Sequence, residues 1–209
     1  MKPLPLIMSF LPLIAFSLLS KLLPHGDIGW AALVAAIFAL IAILMHKPYW
    51  PPKILNAASL ILFAALAIIG FIVSAGSDRW LAIWAGAGVG LIIGGVILVL
   101  LPVMPFTKQF ARETTPQAYW SSPTFKQINR VLSAGWGLAI VGVGVSRVIA
   151  AIIIEHSTGR HRLPDLLFGT AIPIVLLVYM LRFSKTYPEK VTRHGEGPKQ
   201  ASPSAPAAS

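Results

Sequence analysis

The chain has 209 residues, of which 56% are apolar and 11% are charged, and its formal net charge is +10. Soluble domains are about 25% charged, so this composition argues against a water-soluble fold and for a lipid environment. The absence of cysteine excludes disulfides, thiolate metal sites and cysteine nucleophiles.

Six apolar blocks follow one another along the chain, most of them close to the ~20 residues that a helix needs to cross a bilayer. They lie at roughly 5–23, 29–46, 54–75, 80–103, 131–154 and 165–182. Each block is continuously apolar, whereas the strands of a membrane barrel alternate in polarity. The sequence therefore predicts an all-α membrane protein with about six transmembrane helices.

The basic residues lie mostly on one side of these blocks, with twelve on the side of both termini and four on the opposite side. The larger group comprises Lys2, Lys47, Lys53, Lys108, Arg112, Lys126, Arg130, Arg182, Lys185, Lys190, Arg193 and Lys199. The positive-inside rule then predicts that both termini are cytoplasmic and face anionic lipid headgroups. Because no basic helix interleaved with aromatic residues is present, we expect no nucleic-acid partner.

The end of the chain differs in composition from the rest. After residue 184 it becomes rich in Pro, Ala, Ser, Lys and Gly. Such a segment buries too little apolar surface to offset the entropy lost on ordering. We therefore expect a polytopic membrane domain over residues 1–184 and a disordered cytoplasmic tail over residues 185–209.

The longest internal connection, between the fourth and fifth spans, has an amphipathic pattern. Spacing by four residues puts its first two phenylalanines on one helical face, while its first two basic residues point towards water. Ser122 followed by Pro123 is typical of a helix start. We expect a cytoplasmic interfacial segment followed by one long helix, and leave open whether the segment docks a partner or only anchors a loop. Its interfacial residues are Phe106, Lys108, Phe110, Arg112, Tyr119, Trp120 and Phe125.

Small residues recur at helical spacing in the fourth and fifth spans. Gly86, Gly90 and Gly94 share one face of the fourth span, and Gly135 and Gly142 form a similar series in the fifth. Because glycine lets neighbouring backbones approach closely, we expect these two spans to pack on each other. A homodimer face or a substrate groove remains the alternative.

Arg147 is the one ionisable residue well inside a predicted span. Insertion scales place the cost of such a charge at a helix centre at about 2.5–3.5 kcal/mol, so a partner is expected. Three interpretations stay open: the side chain snorkels outward, it pairs with Glu155 or Asp78, or it contacts an anion or a lipid headgroup.

The sequence contains no recognisable catalytic constellation. All seven acidic residues fall in predicted loops or in the tail, and no histidine lies deep in a span. No nucleophile has a nearby base, and no histidine pair has metal-ligand spacing. We therefore expect a protein that is not an enzyme and that carries no metal or cofactor.

Two stretches resemble a known family. The first is Phe10-Leu11-Pro12-Leu13 with Phe16, and the second runs from Tyr119-Trp120 through Phe125 and Asn129-Arg130 to Trp136. Together they are similar to the bacterial intracellular septation protein A family. The resemblance implies a non-catalytic inner-membrane protein that acts in cell division and envelope maintenance through contacts with other membrane proteins. The competing interpretation is a small transporter or channel with Arg147 in an anion or solute path.

Overall fold

The structure is a computed structural model, and it describes residues 3–23, 28–45, 52–73, 75–156 and 162–195. Within these ranges it contains helices and turns and no strand. The helices are α1 (Pro3–Leu22), α2 (Ile28–Leu44), α3 (Ile54–Ile72), α4 (Ala75–Leu100), α5 (Phe106–Ala111), α6 (Pro123–His156), α7 (Arg162–Leu166) and α8 (Ile172–Gly195). A π-helical stretch, Leu167–Ala171, joins α7 to α8.

Four of these helical segments have the length and composition of membrane spans: Ile54–Ile72, Ile83–Leu100, Pro123–His156 and Leu163–Thr192. Two more, Met8–Leu22 and Ile28–Leu44, are apolar but shorter. The prediction of an all-α chain is confirmed for the described residues, and four of its helices are long and apolar enough to cross a membrane. Its spans coincide with the apolar blocks because a backbone in lipid must satisfy its hydrogen bonds within its own segment.

The outer surface of the bundle is apolar. Ile61, Ile72 and Val99 are 72%, 77% and 75% exposed. In water, so many large exposed aliphatic side chains would form an unstable apolar surface, whereas hydrocarbon is a suitable solvent for them. The exposed surface and the composition therefore both indicate a lipid environment.

Close helix packing depends on glycines that face each other. A Cβ built on Gly90 of α4 would lie 2.8 Å from the Cα of Gly144 on α6, and one on Gly70 of α3 would lie 2.6 Å from the Cα of Gly29 on α2. Any larger side chain would push these backbones apart. Around these two tight pairs, α1 packs against α2, and α8 packs against α6.

Two boundaries differ from the sequence-based expectation. Helix α4 begins at Ala75, so residues 76–79, which lie between the predicted blocks 54–75 and 80–103, are helical. Val73, at the end of α3, adopts extended backbone. The prediction of a disordered tail from residue 185 is wrong for residues 185–195, which belong to α8.

Aromatic stacking accounts for part of the extension of α8. The ring of Phe183 lies 6.3 Å from that of Tyr179 and 5.1 Å from that of Tyr187, in a ladder with four-residue spacing. In addition, the indole Nε1 of Trp136 donates a hydrogen bond of 2.9 Å to the Ser184 hydroxyl. These contacts order the helix beyond its apolar part. The remaining tail, residues 196–209, lies outside the described residues.

The start of α6 is as predicted. The helix begins at Pro123, and the backbone N–H of Phe125 donates to the hydroxyl of Ser122 at 3.2 Å. This bond satisfies one of the amide donors that every helix start leaves unpaired. One continuous helix then runs from the connection into the bundle, ending at His156.

Candidate functional site

The glycine face of α4 lies against α6. Gly90 meets Gly144, and a Cβ built on Gly94 would lie 2.7 Å from the backbone nitrogen of Val141. The third glycine of the series, Gly86, lies beside the guanidinium group of Arg147, which occupies the space that a side chain at position 86 would fill. The face therefore serves two purposes, since it brings the helices together and leaves room for a large cation.

The two glycines of α6 that were singled out lie on a different face. Gly135 lies against the side chain of Met180, and Gly142 lies against Leu176, both on α8. The residues of α6 that face α4 include Gly137 and Gly144. The pairs Gly135/Gly142 and Gly137/Gly144 have the same seven-residue spacing and are offset by only two residues. The sequence pattern therefore could not show which pair faces α4.

Arg147 points across the bundle towards α1. Its Nη2 donates a hydrogen bond to the hydroxyl of Ser17. Among the described acids, Asp165 is the one whose charge acts on Arg147, whereas Glu155 is exposed at the end of α6. The side chain of Asp78, the other expected partner, lies outside the described side chains. Arg147 thus reaches inward from α6 to a neutral hydroxyl.

A second cation lies one helical turn further along α1. The Nζ of Lys21 donates to both carboxylate oxygens of Asp165, at 3.1 and 3.0 Å, and to the hydroxyl of Thr170 at 2.7 Å. Ser17 and Lys21 are four residues apart on α1, so the two positions lie one helical turn, about 6 Å, apart along the helix. Lys21 is already neutralised by Asp165, so the group as a whole carries the charge of Arg147.

The wall opposite α1 is built from the π-helical stretch. The N–H of Ile172 donates to the carbonyl of Leu167, five residues earlier, as a π-helix requires. The next bond in this pattern would need an N–H at Pro173, which has none, so the carbonyl of Phe168 loses its donor. The hydroxyl of Ser146 on α6 donates to this carbonyl at 2.6 Å. The irregular backbone is therefore stabilised from α6, next to Arg147.

These elements enclose a cavity of about 440 Å³ between α1, α4, α6 and the last helix. Lys21, Ser17, Arg147 and Thr170 line one end of the cavity. Its other lining side chains are almost all apolar, and include Phe10, Leu13, Trp136, Ile140, Leu177 and Leu181. We call this volume the Arg147 cavity.

The chemistry of the Arg147 cavity suits an anion. A guanidinium group has five N–H donors, and the acceptor that the described residues offer to Arg147 is one neutral hydroxyl. The remaining donors suit the oxygen atoms of a carboxylate or phosphate, which arginine binds through paired hydrogen bonds. The low polarity of the surrounding walls strengthens such an interaction.

The residues predicted to form an interfacial and docking surface divide into two groups. Phe106 and Phe110 are 1% and 3% exposed, and Phe125 is also buried, so their rings lie inside the bundle. The expectation that these rings contact membrane or partner is therefore wrong. Helix α5 turns Phe106 and Phe110 towards the inside of the bundle, and Phe125 is buried in the first turn of α6. The ring of Phe106, for example, meets that of Phe10 edge-on at 6.5 Å.

Hydrogen bonds to neighbouring helices hold α5 in this orientation. The backbone N–H of Thr107 donates to the Ser133 hydroxyl at 3.1 Å, and the Thr107 hydroxyl donates to the carbonyl of Asn129 at 2.8 Å. On the other side, the N–H of Ile54 donates to the side-chain oxygen of Gln109 at 2.9 Å. Helix α5 is thus an integral part of the bundle.

Lys53 and Glu113 add an ion pair at the same end of the bundle, with 2.6 Å between amine and carboxylate. The amine also lies 4.2 Å from the centre of the Phe110 ring, a cation–π distance. Burial lowers the pKa of Lys53, and the carboxylate of Glu113 acts in the opposite direction. The ion pair therefore links the start of α3 to the segment that follows α5.

The other members of the predicted surface remain accessible. Arg112 is exposed and stacks on the ring of Trp120 at 4.7 Å, and Tyr119 is 61% exposed. Lys108 is partly exposed, and its pKa is lowered by burial and by the positive charges of Arg112 and Lys126. The accessible part of the connection is therefore cationic and aromatic.

Comparison of the chain with protein-family models, with curated protein sequences and with solved structures gave no match. The function must therefore be argued from the chemistry of the chain itself. Of the residues around the Arg147 cavity, Arg147 and Gly86 were predicted from the sequence. Ser17, Lys21 and Thr170 were not, since their only signal was their polarity within or at the ends of apolar blocks.

Proposed function

We propose that the chain is a non-catalytic, multi-pass protein of the bacterial inner membrane that binds an anionic group in the Arg147 cavity. The observation that carries this proposal is a guanidinium group turned into an apolar cavity, with a neutral hydroxyl as its described acceptor. An intramembrane cation in such a position marks a functional site by default.

Anion binding can be tested by the thermal stability of the purified chain in a neutral detergent. Inorganic phosphate or a long-chain alkyl phosphate should raise the melting temperature of the wild type more than that of Arg147→Gln. The matched control is Arg130→Gln, because Arg130 is an exposed arginine on the same helix. Equal responses of Arg147→Gln and the wild type to both anions would contradict the proposal.

For the topology, we propose six spans with both termini in the cytoplasm. The support is the twelve-to-four distribution of basic residues, together with four long apolar helices and two shorter ones. A reporter enzyme that is active only in the periplasm should be inactive when fused after residue 209 and active when inserted between α1 and α2. Activity of the C-terminal fusion would contradict this topology.

For the biological role, we propose cell division or envelope maintenance through contacts with other membrane proteins, as the family resemblance implies. The accessible contact surface is the Arg112–Trp120 stack with Tyr119 beside it. Deletion should cause division or envelope-stress defects. A partner that co-purifies from native membranes should be lost in a Tyr119→Ala, Trp120→Ala double variant and retained in Tyr179→Ala, which alters an exposed tyrosine elsewhere.

A small transporter is the second candidate, and the Arg147 cavity is the observation that favours it. Solute transport would require the cavity to exchange its ligand between the two sides of the membrane. The chain in proteoliposomes should then carry an anion flux that disappears in Arg147→Ala. Flux without any division or envelope defect on deletion would favour the transporter over the septation role.

A further inference from the structure

The lining of the Arg147 cavity extends along two helices. Its lining residues run from Phe10 to Lys21 on α1 and from Trp136 to Arg147 on α6. Eleven residues of helix advance about 16 Å, at 1.5 Å per residue. A bilayer has about 30 Å of hydrocarbon in two leaflets, so the cavity is about as long as the acyl region of one leaflet.

Polarity is distributed along the cavity as it is along a lipid. The cations Arg147 and Lys21 lie at one end, and the walls beyond them are apolar down to Trp136 and Phe10. A small hydrated anion would contact only the cationic end of the cavity. A molecule with an anionic head and a hydrocarbon chain would contact both the cationic end and the apolar walls.

Access to the cavity is from the side of the bundle. Its lining residues include Ile14 and Leu18 on α1 and Ile174 on α8, which are also 47%, 57% and 54% exposed on the outer surface. The cavity therefore opens between α1 and α8 through an apolar mouth. At the end of this mouth, the Lys21–Asp165 ion pair links α1 to α7. A ligand that enters by this route comes from the membrane.

We propose that the Arg147 cavity binds an anionic membrane lipid, with its headgroup at Arg147 and Lys21 and an acyl chain along the apolar walls towards Trp136. This inference rests on the proposed anion-binding function and adds the class of ligand. The headgroup balances the charge of Arg147, and the chain enters laterally between Ile14 and Ile174.

The test uses the full-length chain in a neutral detergent and compares three probes: phosphatidylglycerol, phosphatidylcholine with the same acyl chains, and inorganic phosphate. Native mass spectrometry and thermal shift measure their binding. Phosphatidylglycerol should bind at least tenfold more tightly than either of the others, because it alone provides both the charge and the chain. Arg147→Gln should weaken it by about tenfold or more, as expected for lost charged hydrogen bonds, whereas Arg130→Gln should not.

A second variant tests the lateral mouth without touching the cations. Ile174→Trp adds bulk at the opening, and Ile68→Trp adds the same bulk at an exposed position on α3, which is not part of the cavity lining. The first should reduce phosphatidylglycerol binding several-fold and leave phosphate binding unchanged. The second should change neither. Because Ile174 faces outward, the result stays interpretable even where Arg147→Gln folds poorly.

The possible outcomes distinguish failure of the lipid inference from failure of the proposed anion-binding function. If inorganic phosphate binds as tightly as phosphatidylglycerol and both weaken in Arg147→Gln, the lipid inference is overturned and the anion site stands. If Ile174→Trp leaves phosphatidylglycerol binding unchanged, lateral entry of the chain is overturned. If Arg147→Gln binds phosphate, alkyl phosphate and phosphatidylglycerol as the wild type does, the proposed function falls with the inference.

Discussion

At the scale of single residues, the guanidinium group of Arg147 has room because position 86 is a glycine and carries no side chain. The guanidinium group lies where a Cβ on Gly86 would be, while a Cβ on Gly88 would meet nothing within 4 Å. Two glycines on one helix therefore have opposite tolerance for a methyl group. The difference comes from the neighbouring helix and not from the backbone of α4.

Gly86→Ala should lower stability by at most about 1 kcal/mol, because the added methyl group displaces only the far end of the flexible Arg147 side chain, which lies beside the cavity. It should also weaken anion binding, since Arg147 must move. Thermal unfolding in detergent and phosphate titration measure the two effects. Gly88→Ala is the control and should be neutral or slightly stabilising, as alanine favours the helix. Similar losses in both variants would contradict this account of position 86.

The pH dependence of stability has a residue-scale source in Lys53. Its pKa in the folded chain lies below 10.5, because the cost of burial exceeds the attraction of Glu113. The folded state therefore releases this proton at a lower pH than the unfolded state does. Between the folded pKa and 10.5, the unfolded state binds more protons, and stability rises with pH.

Comparison with Lys53→Met isolates this effect from other titrating groups. The stability of the wild type relative to Lys53→Met should increase as pH rises through the folded pKa towards 10.5. Unfolding curves of both proteins in detergent over an alkaline pH series give the difference. A difference that is constant, or that falls with rising pH, would mean that Lys53 is not held in a buried environment.

At the scale of the element, the π-helical stretch is the most unusual part of the bundle. Pro173 removes the donor that the carbonyl of Phe168 would have, and Ser146 replaces it. Thr170, in the same stretch, accepts from Lys21. The irregular segment thus joins α6, α8 and α1 at the polar end of the cavity.

Ser146→Ala should destabilise the chain by about 1 kcal/mol, since the half-buried carbonyl of Phe168 would lose its hydrogen-bond donor. The loss should be local, so hydrogen exchange should accelerate most in residues 167–177. Ser121→Ala, which changes an exposed serine, is the matched control and should leave both measurements unchanged. Uniform acceleration along the whole of α6 and α8 would contradict a local role.

At the scale of the whole molecule, the apolar exterior of the described helices suits a lipid environment. The exposed aliphatic side chains of α3 and α4 belong to a band that water would destabilise. The chain should therefore stay in the membrane pellet after an alkaline carbonate wash, as an integral protein does. Immunoblotting of pellet and supernatant measures this, with a peripheral membrane protein as the internal control. Release into the supernatant would contradict the membrane fold.

Much of the architecture could be predicted because it depends on local sequence. Continuous apolar blocks specify the helices, and Ser122 with Pro123 specifies the start of α6. The Lys21–Asp165 pair, by contrast, joins residues 144 positions apart, which no local pattern reports. The inward turn of Phe106 was missed for a related reason. An amphipathic helix has the same pattern whether its apolar face meets lipid or the protein interior.

The π-helical stretch also fixes the rotational phase of everything that follows it. An α-helix turns about 100° per residue, and the π-helical turn absorbs one extra residue. If residues 167–171 wound as regular α-helix with no residue removed, the remaining helix would rotate by about that angle. Ser184 would then face away from Trp136, and the aromatic ladder would point in a new direction. One extra residue near the cavity thus sets the alignment of the helix as far as its last described turn.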